Sequence, residues 1–214
     1  MMRITVFGAA GEVGSRVVAE ALDRGHEVTA VVRDRTRAGA VPAAATLRAG
    51  DAANLDDVVS LSTGQDLVVT ATRPAPGREY ELPAITSVLL SAAARTGARL
   101  LVVGGAATLF IPGADALTLH ESPDFPVELR AIARACADQL AICRGETAAD
   151  WTYLSPPAEL VRGRRTGTYR LGTDELLTDA DGVSAISLAD FAVALLDEAE
   201  RPLHRRTRFT VASV

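Results

Sequence analysis

The chain has 214 residues, of which 48% are hydrophobic and 4% aromatic, and its formal net charge is −5. This length fits one α/β domain with an enlarged end, whose core would consist mainly of Ala, Val and Leu. The negative charge and the lack of a basic block argue against a nucleic-acid partner, and no apolar run is long enough to cross a membrane, so we expect a cytoplasmic protein.

Residues 1–25 are predicted to form a strand, a glycine-rich turn and a helix. Residues 3–7 are β-branched and aromatic, glycine occupies every third position of the turn, and residues 15–22 have helical apolar spacing. In this context the glycines indicate a nucleotide-binding turn, because a turn without Cβ atoms lets a pyrophosphate approach the helix N-terminus. The alternative is a tight turn that binds nothing. The predicted cofactor-binding residues of the turn are Gly8, Ala10, Gly11, Glu12, Val13 and Gly14.

A second predicted strand, residues 27–32, ends at Arg33. An acidic residue at this position binds the adenosine ribose hydroxyls of NAD, whereas an arginine pairs with the 2′-phosphate of NADP. Arg33 therefore predicts NADP(H), with NAD(H) as the second candidate. Asp34 follows directly, but Arg35 and Arg37 keep this corner positive. The alternative is an ordinary exposed arginine in a charged loop.

The rest of the chain alternates between predicted strands and helices. This alternation is typical of a doubly wound parallel sheet with helices on both faces, a Rossmann fold, in which ligands bind beyond the carboxyl ends of the strands. We predict a single NAD(P)-binding domain over residues 1–214, in which Asp51 ends the third strand near the adenine. The further strands are predicted at 46–51, 65–72, 99–105, 151–157 and 208–212, and the further helices at 54–59, 82–96, 127–144 and from 186 onward.

Two segments depart from this alternation and are expected on the substrate side of the sheet. Residues from about 106–125 form a long loop, which is a candidate lid. Residues from about 156–186 form a small C-terminal excursion, in which 167–172 and 176–179 are predicted to pair as strands.

Cys136 and Cys143 are seven positions apart on one predicted helix. This spacing stacks them two turns apart, too far for a disulfide. No histidine lies at ligand spacing beside them, so they are interpreted as core residues and no metal site is predicted.

Several motifs together resemble the atypical short-chain dehydrogenase/reductases. The resemblance extends over nearly the whole chain and is nearest to the bacterial NADH-flavin reductase group, which is related to NmrA-like proteins and to biliverdin reductase B. It is specific for fold and cofactor, and less so for substrate. The motifs that carry it are residues 6–14, 32–34, 103–106, 150–156, 167–170 and 186–190.

The resemblance also implies a set of residues around the nicotinamide. Thr72 and Arg73 match the loop over the nicotinamide ribose, and two later segments match the lining of the nicotinamide itself. The cofactor-binding residues implied in this way are Thr72, Arg73, Gly104, Gly105, Ser155 and Pro156.

One departure from the family concerns catalysis. Typical short-chain dehydrogenases use a Ser after the fifth strand and a Tyr-x-x-x-Lys on the next helix, where the Lys lowers the pKa of the Tyr. Here Gly104 and Gly105 replace the Ser, and the sequence contains no lysine. We therefore predict an NADPH-dependent oxidoreductase that passes hydride to a planar small-molecule acceptor, such as a flavin or quinone, with the flavin acting as substrate.

Two other functions remain open. One is an NmrA-like NADP-binding sensor without turnover. The other is a pathway ketoreductase or isomerase that has rebuilt its acid from His120, Tyr80 or Tyr153. His120 and Tyr153 are accordingly the candidate catalytic residues, and the sequence leaves monomer and homodimer equally open.

Overall fold

The structure is a computed structural model that describes residues 1–39 and 41–214. The side chain of Arg37 lies outside the described part, so its predicted contribution to the positive charge near Arg33 is not described. The strands are β1 (Arg3–Phe7), β2 (Glu27–Val32), β3 (Thr46–Ala49), β4 (Leu67–Thr70), β5 (Arg99–Val103), β6 (Trp151–Ser155), β7 (Glu159–Val161), β8 (Arg170–Gly172), β9 (Ala185–Ser187) and β10 (Thr207–Ala212). The helices are α1 (Glu12–Asp23), α2 (Leu55–Ser62), α3 (Leu82–Thr96), α4 (Arg130–Gly145) and α5 (Leu188–Glu200).

The main sheet confirms the predicted doubly wound fold. Its strand order is β3-β2-β1-β4-β5-β6-β10-β8, and every neighbouring pair is parallel except β10 with β8. The chain moves outward from β1 to β3 and then returns to the other side of β1 to form β4. The direction of winding therefore reverses between β1 and β4, and ligands of such sheets bind beyond the carboxyl ends of the strands at this point.

Helices cover both faces of the sheet. Helices α1 and α5 pack together on one face, where Val17 and Leu195 belong to one buried cluster. Helices α2, α3 and α4 cover the other face, where Leu89 and Leu140 belong to a second cluster. Ala, Val and Leu dominate both clusters, as the composition predicted.

Two predicted helices begin where their capping residues place them. The Asn54 side chain accepts hydrogen bonds from the N–H groups of Asp56 and Asp57 at the start of α2. Ser187 caps α5 by accepting from the Asp190 N–H at 2.9 Å. The predicted helix at 127–144 instead begins with a 3₁₀ turn, Val127–Leu129, before α4.

The predicted strand pair in the C-terminal excursion is wrong. Residues 176–179 contain no strand, and β8 pairs with the open edge of β10. The Arg170 guanidinium holds β8 there by donating to the carbonyls of Ser213 and Thr178. Strands β7 and β9, which were not predicted, form a separate parallel pair.

The candidate lid is tied to this excursion. Phe110 bridges both Thr118 within the loop and Glu175 in the excursion. The buried guanidinium of Arg208 donates to the Thr108 carbonyl at 3.1 Å and pairs with Asp174. The loop at 106–125 is therefore anchored at its first half.

No helix within residues 1–39 and 41–214 combines the length and the apolar character that a membrane crossing requires. The cytoplasmic location stays a prediction.

Candidate functional site

The glycine turn after β1 can be built only from glycine at two of its positions. Gly8 has a φ of 78°, and a Cβ on it would lie 2.5 Å from the Ala71 carbonyl oxygen. A Cβ on Gly14 would lie 2.1 Å from the Gly8 carbonyl oxygen. The turn therefore closes tightly against β4 and against its own helix.

Gly11 is the exposed crest of this turn and the N-cap of α1. A Cβ on Gly11 would approach the Gly8 carbonyl oxygen at 3.3 Å and would meet nothing else within 4 Å. No side chain caps the helix at this end. Because the first N–H groups of a helix lack intrahelical acceptors, the start of α1 offers donors and a positive dipole end to an anion.

A cleft of about 570 Å³ opens beside this turn, at the carboxyl edge of the sheet. Its volume is in the range of small-molecule and cofactor sites. The turn forms one end of the cleft, the ends of β4 and β5 form its floor, and α4 forms a wall. The predicted cofactor-binding residues that line it are Gly11, Glu12, Val13, Thr72, Arg73, Gly104, Gly105 and Pro156.

The other predicted cofactor residues lie outside this lining. Gly8, Ala10 and Gly14 shape the turn behind it. Arg33 follows β2 directly and is exposed, and within the described residues its guanidinium has no ion-pair or hydrogen-bond partner. The Asp51 carboxylate accepts from the Ala53 N–H at 3.0 Å within its own turn.

Tyr153 does not face the cleft, which corrects its interpretation as a catalytic residue. Its side chain is fully buried, and a Cβ on Gly104 would lie 2.0 Å from its ring, so the ring fills the space directly beneath that glycine. Its hydroxyl accepts from the Gly105 N–H at 3.2 Å and lies 3.1 Å from Gln139 Oε1 and 3.2 Å from the Cys136 carbonyl oxygen. Burial raises the pKa of this hydroxyl well above its ordinary value.

Ser155 is also placed differently from its prediction. Its hydroxyl is buried and has no hydrogen-bond partner in the described residues, and the cleft is lined instead by the following residues Pro156 and Pro157. The prediction that residues 155–157 border the site is therefore supported by the prolines and not by the serine.

His120 lies beside the cleft. It lines a separate cavity of about 390 Å³ that shares Ala133 with the cleft. Its Nδ1 lies 2.8 Å from the Ala107 carbonyl oxygen. A carbonyl oxygen can only accept a hydrogen bond, so Nδ1 carries the hydrogen, and this bond fixes the orientation of the imidazole ring. Tyr80 is 73% exposed and lines neither cavity.

The wall formed by α4 was not predicted as part of the site. Leu129, Ile132, Cys136 and Gln139 line the cleft from the start and the first turns of this helix, and Phe125 adds an aromatic ring. Their spacing of three to four residues was visible in the sequence but is equally typical of a core-facing helix stripe.

Each polar side chain of this wall is either hydrogen-bonded within the protein or uncharged. Gln139 is 2% exposed, its Nε2 donates to Thr86 Oγ1 at 3.1 Å, and its Oε1 faces the Tyr153 hydroxyl. Burial raises the pKa of the Cys136 thiol to about 11, which keeps it protonated at neutral pH. Both cysteines are free and buried, which confirms their interpretation as core residues.

Comparisons with known proteins agree with this geometry. The NAD(P)H-binding family matches residues 8–199. The uncharacterized protein YwnB of Bacillus subtilis is 39% identical over 221 residues, which cover 99% of each chain. A solved structure described as a putative epimerase, from Bacteroides thetaiotaomicron, is 36% identical with a TM-score of 0.91, over 100% of this chain and 97% of that one. A structure described as a putative NADH-flavin reductase, from Streptococcus pneumoniae, is 33% identical with a TM-score of 0.89 over the full length of both chains.

Proposed function

The chain belongs to the NAD(P)H-binding family, and we propose that it is a reductase that prefers NADPH and passes hydride to a planar acceptor such as a flavin or a quinone. The observation that carries this proposal is a cleft that joins the glycine turn and the start of α1 to an apolar wall, and whose only carboxylate among the described lining residues, Glu12, lies at the turn end.

The residues at the turn end of the cleft fit a dinucleotide. The uncapped start of α1 would hold the pyrophosphate, and the open side of Gly11 leaves room for it. Arg33, exposed and unpaired among the described residues, would pair with an adenosine 2′-phosphate. When bound, the reduced nicotinamide supplies the hydride.

The floor of the cleft is well suited to hold two flat rings together. Gly104 and Gly105 present backbone without side chains toward the cleft, and the Tyr153 hydroxyl fixes the Gly105 N–H from below. Phe125, Leu129 and Ile132 face this floor from the loop and α4 and would exclude water from the rings. Orientation at close range then supplies much of the rate.

The same lining disfavours reactions that need a proton donor. Its polar side chains are Glu12, Thr72, Arg73, Cys136 and Gln139. Glu12 is at the phosphate end, the Cys136 thiol is weakly acidic, and the Gln139 amide is already bonded. Beyond the turn end, the described residues of the lining therefore include no carboxyl, histidine or tyrosine that could protonate a ketone oxygen or serve as the paired acid and base of an epimerase.

Turnover of NADPH with different acceptors tests the proposal. NADPH oxidation is measured without oxygen, after addition of a flavin, a quinone or a simple ketone, with Gly11→Val as the control that removes the phosphate site. We expect oxidation with the flavin or quinone and none with the ketone. Rapid reduction of the ketone would instead support a ketoreductase with a rebuilt acid.

The lack of an acid is also what a binding protein without turnover would show. If NADPH binds in calorimetric titration but no flavin, quinone or tetrapyrrole accepts hydride from it, the NmrA-like sensor becomes the supported function in place of the reductase.

A further inference from the structure

The segment after β7, residues 162–167, runs alongside α1 and is fixed there by buried contacts. The Arg165 guanidinium makes two hydrogen bonds of 2.8 Å to the carboxylate of Glu20, whose side chain is 4% exposed. The Asp190 carboxylate accepts from the backbone N–H groups of Thr166 and Gly167, each at 2.8 Å. The backbone of this segment is therefore held against both α1 and α5.

Arg162 is the first residue of the same segment, directly after β7, and its side chain reaches the start of α1. Its Nη2 donates to Glu12 Oε1 at 2.7 Å. Glu12 is the first residue of α1 and lines the cleft beside Gly11. The guanidinium of Arg162 is thus one hydrogen bond away from the side chain of a first-turn residue of α1 that lines the cleft.

The pair between Arg162 and Glu12 is easily exchanged. The two side chains are 82% and 67% exposed, and such exposed pairs contribute little to stability because water and salt screen them. In contrast, the Arg165–Glu20 pair is largely desolvated on its acidic side. The structure therefore combines a backbone held by α1 and α5 with an exposed cationic side chain, Arg162, that is bonded to a residue of the cleft lining.

We propose that Arg162 is a pyrophosphate-binding residue, paired with Glu12 in the cofactor-free protein and transferred to the dinucleotide when it binds. This inference rests on the proposed cofactor site and is independent of the acceptor. A pyrophosphate carries more negative charge than one carboxylate and accepts both arms of a guanidinium, so the exchange is favourable.

Cofactor affinity distinguishes this role from that of Arg33. The pyrophosphate is common to NADPH and NADH, so Arg162→Ala is expected to weaken the binding of both by a similar factor, about tenfold at low ionic strength. Arg33→Ala should weaken NADPH alone. Dissociation constants from calorimetry provide the readout, and the loss in Arg162→Ala should shrink at high salt.

Three variants serve as matched controls. Arg164 belongs to the same segment, is exposed and has no ion pair among the described residues, so Arg164→Ala should leave both affinities unchanged. Arg162→Lys keeps the charge and should recover part of the loss. Glu12→Gln removes a negative charge beside the phosphates and should tighten the binding of both cofactors.

The outcomes separate this inference from the proposed function. Wild-type affinities in Arg162→Ala, or a loss confined to NADPH, would overturn the role of Arg162 while leaving the reductase intact. A wild-type protein that binds neither dinucleotide would overturn the cofactor site itself. The thermal unfolding of the cofactor-free Arg162→Ala variant should match wild type, because the exposed pair contributes little.

Discussion

The preference for NADPH should depend on Arg33. The residue directly follows β2 and is exposed, and no ion pair or hydrogen bond to the described residues holds its guanidinium. Replacing it with alanine therefore removes no ion pair or hydrogen bond with the described residues, and the free energy of unfolding should stay unchanged. A charged hydrogen bond to a phosphate contributes about 1.5–3 kcal/mol, and solvent screening at this exposed corner favours the lower end, so Arg33→Ala should weaken NADPH binding roughly tenfold to thirtyfold.

Calorimetric titration of NADPH and NADH into wild type and Arg33→Ala measures this selectivity. Arg95→Ala is a suitable control, because Arg95 is also exposed but lies in the last turn of α3, remote from the turn after β2. We expect the variant to lose its preference while its NADH affinity is retained. Equal affinities for the two cofactors in wild type, or an equal loss of both in the variant, would refute the reasoning.

Three further predictions concern the turn, the buried hydroxyl and the core. Gly11→Val should abolish cofactor binding in calorimetry with an unchanged circular dichroism spectrum, and retained affinity would move the site elsewhere. Tyr153→Phe should lower the free energy of unfolding by about 1–3 kcal/mol. Losing a general acid reduces turnover roughly hundredfold or more, and neither Tyr153→Phe nor His120→Asn should have so large an effect. A loss of that size with unchanged NADPH affinity would reveal a rebuilt acid. Glu198→Gln should cost about 3–5 kcal/mol in denaturant unfolding at neutral pH, because it leaves the buried Arg99 guanidinium unpaired.

The Glu198 effect has a defined pH dependence. Burial alone would raise the pKa of this carboxyl, but hydrogen bonds from His204, Leu203 and Arg99 outweigh it and hold the folded pKa below the ordinary value. The stability that Glu198 supplies is therefore present above its unfolded pKa, near ~4.3, and is lost as the pH falls through the folded pKa. The difference between wild type and Glu198→Gln should shrink on acidification, and a constant difference would contradict this assignment.

Much of the fold could be predicted because its signals are local. Each central strand is a short apolar run, and the helix at 82–96 was predicted with the bounds that α3 has. The glycine turn was recognisable because a positive φ and a close backbone approach each require glycine, and the structure shows these requirements at Gly8 and Gly14. Such requirements are independent of distant contacts.

The C-terminal excursion could not be predicted in the same way. Strands β7, β8 and β9 have three residues each, too few for a period of two to be recognised. Their pairing depends on distant groups, since β8 joins the open edge of β10 and Asp190 on α5 holds residues 166–167. The proposed role of Arg162 depends on this tertiary placement and was therefore not predictable from the sequence.

The position of Tyr153 could not be predicted because β6 is buried on both faces. All five of its residues are buried, and such a strand shows no alternation that would tell which side chains point toward the ligand edge. The structure shows that the Tyr153 hydroxyl supports the floor of the cleft.

This packing also explains the departure from the usual catalytic serine. Any side chain at Gly104 would begin 2.0 Å from the Tyr153 ring, so a serine cannot be placed there while the tyrosine occupies its present position. The same ring holds Gly105 through its hydroxyl and contacts Gln139 of α4. Restoring a serine at 104 would require removal of the tyrosine and repacking of β6 against α4. The packing beneath the cleft therefore requires glycine at position 104 and accounts for the lack of the serine. This lack fits the proposed hydride acceptor, which needs no proton from the protein.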